Sequence, residues 1–158
     1  MNEYSGTIMG NNKKIGIVVS DFNELVTSKL LNGAINELKK FGVSIASISV
    51  VHVPGALELP RAARILEQTS QFDGLLALGS VIRGETSHYD YVCSETARGL
   101  TQLSLNGSIP VMFGVLTTDN LEQAINRSGG KGGNKGSECA QGVLQMIGFD
   151  EWVKEANI

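Results

Sequence analysis

Residues 74–82 read GLLALGSVI and run directly into RGETSH at 83–88. The run is too short for a buried helix, it does not alternate apolar with polar, and a glycine-containing polar stretch bounds it. It therefore reads as a strand covered on both faces. Such strands belong to parallel sheets enclosed by helices, so the rest of the chain should supply more strands and the crossover helices between them. IGIVV from Ile15, ISVVHV from Ile48 and IPVMFGVL from Ile109 are three further apolar runs of the same kind. Their starts recur at roughly 30 positions, the length of a βαβ unit. The units share no sequence, which excludes a solenoid.

Helical patterns fill the gaps. Leu30, Leu31, Ala34, Ile35, Leu38 and Phe41 fall at three- and four-residue steps and Gly42 supplies a stop. ALELPRAARILEQ, the stretch from Tyr89 to Leu105, and NLEQAINR with Asp119 as its expected N-cap read the same way. SECAQGVLQMIGF closes the chain with a last helix. Right-handed crossovers then give a doubly wound α/β sheet whose ligand crevice lies at the carboxyl ends of the strands. That rule points to SDFN, PGALE, GSVIRGETSH and FGVLTTD.

Composition narrows the function classes. Thirteen Lys and Arg against sixteen Asp and Glu leave a net charge of −3, without the basic excess of a nucleic-acid binder. Cys93 and Cys139 have no metal-ligand spacing and no companions for a disulfide framework, so both read as reduced thiols. MNEYSGTIMGNNKK has no apolar signal core, and no apolar run approaches a membrane span. The expectation is a soluble, cytoplasmic protein with no membrane or nucleic-acid partner, folded as one domain over residues 1–158.

The four strand-end stretches carry the chemistry. Phe22 either caps the core or stacks on a flat heterocycle. Glu58, after Pro54 and Gly55, either complements a helix dipole or accepts hydrogen bonds from ligand hydroxyls. Glu85, Thr86 and Ser87 lead into a helix start that favours an anion. His88, in the same first turn, is either a surface residue or a group that moves protons near neutrality. His52 lies within a strand pattern and reads as structural, while Arg127 ends a helix and at the least complements its dipole. The run GGKGGNKGS at 129–137 invites comparison with phosphate cradles but fits neither. Gly136 is followed by Ser137 rather than Lys, and position 135 is Lys where a dinucleotide motif needs Gly. These residues alone leave open an enzyme or a flavodoxin-like binding protein.

IGIVVSDFN, VPGALELP, LGSVIRGETSHYDYVCSE, IPVMFGVLTTDNLEQAINR and GNKGSECA, in this order from Ile15 to Met146, resemble the 6,7-dimethyl-8-ribityllumazine synthase family. The resemblance implies a three-layer αβα, flavodoxin-like fold with a four-stranded parallel sheet in the order 2-1-3-4. It also implies an N-terminal arm, residues 1–13, that adds a strand to a neighbouring subunit. It implies condensation of 5-amino-6-(D-ribitylamino)uracil with 3,4-dihydroxy-2-butanone 4-phosphate, releasing phosphate and water, without a cofactor or metal. Phe22 would stack on the pyrimidine, Ala56, Leu57 and Glu58 would meet the ribityl chain, and Ser80, Val81 and Ile82 would line the ring pocket. Glu85 and Thr86 would hold the phosphate and His88 would transfer protons. Phe113 and Arg127 would come from the adjacent subunit, to the pyrimidine and the phosphate respectively, with Lys135 an accessory charge.

The implied partners are the two small-molecule substrates and further copies of the chain, as a homopentamer or a shell of sixty subunits. Riboflavin synthase is a candidate guest inside the shell. The glycine run becomes the bend between the last two helices, and the lack of an insertion there favours the shell. Two positions depart from the family pattern: Asp21 stands where many members carry Arg, and Leu57 where an aromatic is common. A non-catalytic flavin- or lumazine-binding relative or container is the alternative.

Overall fold

The computed structural model describes residues 1–157; Ile158, the last residue of the expected 1–158 domain, lies outside the described residues. In chain order the elements are β1 (Ile15–Ser20), α1 (Glu24–Lys40), β2 (Ile48–Val53), α2 (Leu59–Gln68), β3 (Gly74–Ile82), α3 (His88–Asn106), β4 (Val111–Thr118), α4 (Leu121–Arg127), the short strands β5 (Ser128–Gly130) and β6 (Gly133–Asn134), and α5 (Lys135–Ala156). The main sheet has the order β2-β1-β3-β4, all parallel, with Val18 opposite both Val51 and Ala77, and Ala77 opposite Phe113. This is the expected flavodoxin-like α/β arrangement.

Successive residues of the central strands serve opposite layers. Ile15, Ile17 and Val19 of β1, with Leu76 and Leu78 of β3, pack against Leu30, Ala34 and Leu38 of α1 and Ala140, Val143 and Leu144 of α5. Val18, Leu75 and Ala77 meet Leu59 and Ala63 of α2 and Val92 and Leu100 of α3. Apart from Ser20 and Ser80, buried towards their carboxyl ends, both central strands are therefore free of polar side chains.

The edge strand β2 departs from the expectation of two covered faces. Only Val53 is buried, and Val50 and His52 are exposed. The reason is position: β2 has a single neighbouring strand, and the buried faces of α1 and α2 are spent mainly on β1 and β3. The expected stop of α1 is present, with Gly42 N–H donating to Lys39 O and Val43 N–H to Leu38 O, the paired bonds of a Schellman end.

The cap of α4 is Asn120, not Asp119. Asn120 is extended, and its side-chain oxygen accepts from Gln123 N–H at 2.9 Å, while the Gln123 side chain accepts from Asp119 N–H at 2.8 Å. Asp119 instead faces Arg83, at 3.5 Å from Nε. The glycine run does lie between the last two helices, yet it is a small antiparallel hairpin, with Ser128 opposite Asn134 and positive φ at Gly129 and Gly133. Asn134 then caps α5, accepting from Ser137 N–H at 3.2 Å.

Residues 1–13 make no strand within their own chain and run along α5. Tyr4 stacks on Trp152 with centroids 4.0 Å apart, Ser5 Oγ accepts from Gln145, and Lys13 pairs with Glu151. None of the described helices is long and apolar enough to cross a membrane.

Candidate active site

Three residues join β1 to α1, and each is fastened. Asp21 N–H donates to Val53 O at 2.8 Å and Phe22 N–H to Pro54 O at 3.1 Å, so the turn rides on the end of β2. Asn23 takes a left-handed conformation, φ 62°, and its Nδ2 donates to Ser80 O at 2.8 Å, tying the same turn to β3. Between these anchors the Phe22 ring stands 68% exposed, so it caps no core. The ring lies so close over Gly55 that a Cβ there would meet Phe22 Cδ2 at 2.8 Å, which explains why a glycine follows Pro54.

After β2 the chain makes a short 3₁₀ turn, Ala56–Glu58. Glu58 folds back, and its Oε2 accepts Gly55 N–H at 3.0 Å while Glu58 N–H donates to Gly55 O. The carboxylate is thus oriented by the loop it follows, and Leu57 beside it is exposed.

From the end of β3, residues 83–87 form an exposed loop into α3. Arg83 secures it: Nη2 bonds Asp90 at 3.2 Å, Nε faces Asp119 at 3.5 Å, and the guanidinium lies over the Tyr89 ring at 4.2 Å. Burial pushes the pKa of Tyr89 up, the hydrogen bond with Cys93 adding to it, so this phenol stays protonated. Ser87 precedes α3 without a side-chain cap, and His88 is the first helical residue, its N–H 3.4 Å from Thr86 Oγ1.

These three strand ends enclose one cavity of about 500 Å³, the size of a small-molecule site. Phe22, Ala56, Leu57, Glu58, Ser80, Val81, Ile82 and His88 all line it. Asn23, Gly55 and Val92 line it too and were not anticipated, although Asn23 and Gly55 sit in the very stretches, SDFN and PGALE, that the strand-end rule selects. Glu85 and Thr86 are exposed in the loop outside the lining.

Phe113 and Arg127 are not brought to this cavity. Phe113 is half-buried along β4, in a separate groove with Leu100, Ser104 and Leu105. Arg127, at the end of α4, lines a cavity of about 700 Å³ with Thr118, Lys131, Lys135 and Glu138, where Lys135 pairs with Glu138 at 3.3 Å. A single chain therefore gathers an aromatic ring, a carboxylate and an imidazole at β1–β3, and holds Arg127, Lys131 and Lys135 beyond β4.

The family model described as 6,7-dimethyl-8-ribityllumazine synthase matches residues 12–151. A protein of that name from Pediococcus pentosaceus is 53% identical over 153 residues, covering 97% of this chain and 98% of that protein. One from Levilactobacillus brevis is 54% identical over 155 residues, covering 98% and 99%.

Proposed function

The chain belongs to the 6,7-dimethyl-8-ribityllumazine synthase family, and from that premise we infer that it is a transferase of riboflavin biosynthesis. It condenses 5-amino-6-(D-ribitylamino)uracil with 3,4-dihydroxy-2-butanone 4-phosphate to 6,7-dimethyl-8-ribityllumazine. The observation that carries the assignment of the site is the convergence of Phe22, Glu58 and His88 on one cavity at the strand ends. A container without catalysis has no use for that convergence.

In the proposed mechanism the uracil ring stacks on Phe22 and extends between Ser80, Val81 and Ile82, while its ribityl hydroxyls reach Ala56, Leu57 and Glu58. The 5-amino group adds to the ketone and water leaves to give a Schiff base. Phosphate is then eliminated, and the ribityl-bearing nitrogen closes the second ring with loss of water. His88, at the cavity wall, takes and returns the protons of these steps. The backbone N–H groups of Glu85 and Thr86, the Thr86 hydroxyl and the uncapped start of α3 receive the phosphate, and an arginine supplies the charge-assisted contacts a departing dianion needs. Condensation and elimination ask only for proton transfer and charge stabilisation. Orientation of two reactive molecules supplies much of the rest, up to ~7–11 kcal/mol in favourable systems.

Arg127 and Phe113 fit this scheme as groups from an adjacent subunit, since each lines a different cavity away from the strand-end site. The proposal therefore includes a cytoplasmic homopentamer with shared sites, the arm around Tyr4 to Met9 joining the open edge of a neighbour's β2. Twelve such pentamers would form a shell, with riboflavin synthase as its guest. Mixing the protein with both substrates and following lumazine fluorescence and phosphate release tests the activity; no fluorescent product would refute it. Light scattering that finds only a pentamer would refute the shell.

A further inference from the structure

At the joint between β1 and β2, His52 Nδ1 and Asp21 Oδ1 lie 2.9 Å apart. A carboxylate only accepts, so the imidazole donates Nδ1–H. We infer that this pair is a latch that positions Phe22 against the opposite wall of the cavity, and so sets affinity for the flat heterocycle. The inference rests on the reading of Phe22 as the stacking residue.

The geometry leaves the latch a specific task. Asp21 immediately precedes Phe22, and His52 is one residue from the end of the edge strand β2, which within the chain has β1 as its single sheet neighbour. The loop that leaves β2 carries Gly55, Ala56, Leu57 and Glu58, so the spacing of the β1 and β2 ends sets the spacing of the ring from that wall. The ring already presses on Gly55. On the β3 side Asn23 holds the turn through Ser80. On the β2 side, among the described residues, the two backbone bonds from Asp21 and Phe22 are joined by one side-chain bond, that of His52.

Both side chains are more than half exposed, at 58% and 59%. Exposed pairs of this kind are worth little, so the expected effect is modest, about threefold to fivefold in affinity. A latch acting through Phe22 is distinguished from a general structural contact by coupling between the two positions. Neither Asp21 nor His52 is among the residues lining the cavity, so both are positioning residues.

The test titrates 6,7-dimethyl-8-ribityllumazine and follows its fluorescence in wild type, Asp21→Ala, Asp21→Asn, His52→Ala, Phe22→Ala and the Asp21→Ala/Phe22→Ala double variant. Asp21→Ala and His52→Ala are expected to weaken binding about threefold to fivefold. Asp21→Asn, which keeps an acceptor for Nδ1–H, should recover most of the loss. In the Phe22→Ala background, Asp21→Ala should add nothing. If Phe22→Ala weakens binding but Asp21→Ala is silent, or its effect is undiminished in the double variant, the latch is overturned while the site stands. If Phe22→Ala leaves binding unchanged, the stacking assignment and the latch both fall.

Discussion

Asn23 spends its side chain on Ser80 O, 2.8 Å away, rather than on capping the helix it precedes, and holds a left-handed backbone while doing so. Two substitutions separate these roles. Asn23→Gly keeps the conformation at no steric cost but removes the bond, and should lower stability by about 1 kcal/mol. Asn23→Ala removes the bond and adds the left-handed penalty, roughly 1–2 kcal/mol more. Urea unfolding of both variants checks this, and equal losses would show that the backbone conformation carries no strain.

Because His88 and Arg127 line different cavities of one chain, the shared-site proposal predicts complementation. His88→Ala alone should slow turnover without abolishing it, at the low end of the ~10²–10⁴-fold range for acid–base groups, because orientation survives. Arg127→Ala should fail chiefly at low butanone phosphate. When the two variants are co-refolded in equal amounts, about a quarter of the subunit interfaces in a heterologous ring carry both native groups. Activity well above that of either parent is the expected result. Sites contained within single subunits would give only the average of the parents.

The central strands are legible because burial on both faces leaves a near-continuous apolar run, as in GLLALGSVI, where Ser80 alone interrupts it. ISVVHV carries the same signature, yet β2 lies at an edge, since composition records apolar side chains but not which surface covers them. Asp119 and Asn120 are both good capping residues, and backbone geometry chose between them. The hairpin β5–β6 is too short to leave a periodic trace. The strand-end rule needs only topology, and it selects Phe22, Glu58 and His88, which line one cavity. Arg83 escaped notice because Asp90 and Asp119 become its neighbours only once the loop, α3 and the end of β4 are assembled.

The arm offers an optical test. Trp152 is the sole tryptophan, and Tyr4 lies flat on it at 4.0 Å with an interplanar angle of 14°. Aromatic pairs contribute about 0.5–1.5 kcal/mol beyond their buried area. Tyr4→Ala should therefore shift Trp152 emission to longer wavelength and speed proteolysis within the first residues, with little change in the global unfolding midpoint. Unchanged emission would mean that the arm does not rest on α5 in solution.

Cys139 makes a prediction at alkaline pH. It lies 3% exposed in the layer between the sheet and α5, where burial pushes its thiol up from 9.0 to about 11, Lys135 opposing the shift and Glu138 adding to it. The unfolded chain ionises this thiol first as pH rises through its ordinary value, and the folded chain only near 11. The thiol's contribution to stability is thus complete below about 9 and is lost as pH climbs to the folded value. A two-unit difference corresponds to on the order of 2–3 kcal/mol at the top of that window. Cys139→Ala should be slightly less stable at pH 8, by about 1 kcal/mol for the small cavity. The gap should close and then reverse as pH approaches 11. Denaturant unfolding of both proteins across pH 8 to 11 checks this, since the alkaline titration of every other group cancels in the comparison. Parallel curves would mean that the Cys139 thiol ionises alike in the folded and unfolded chains.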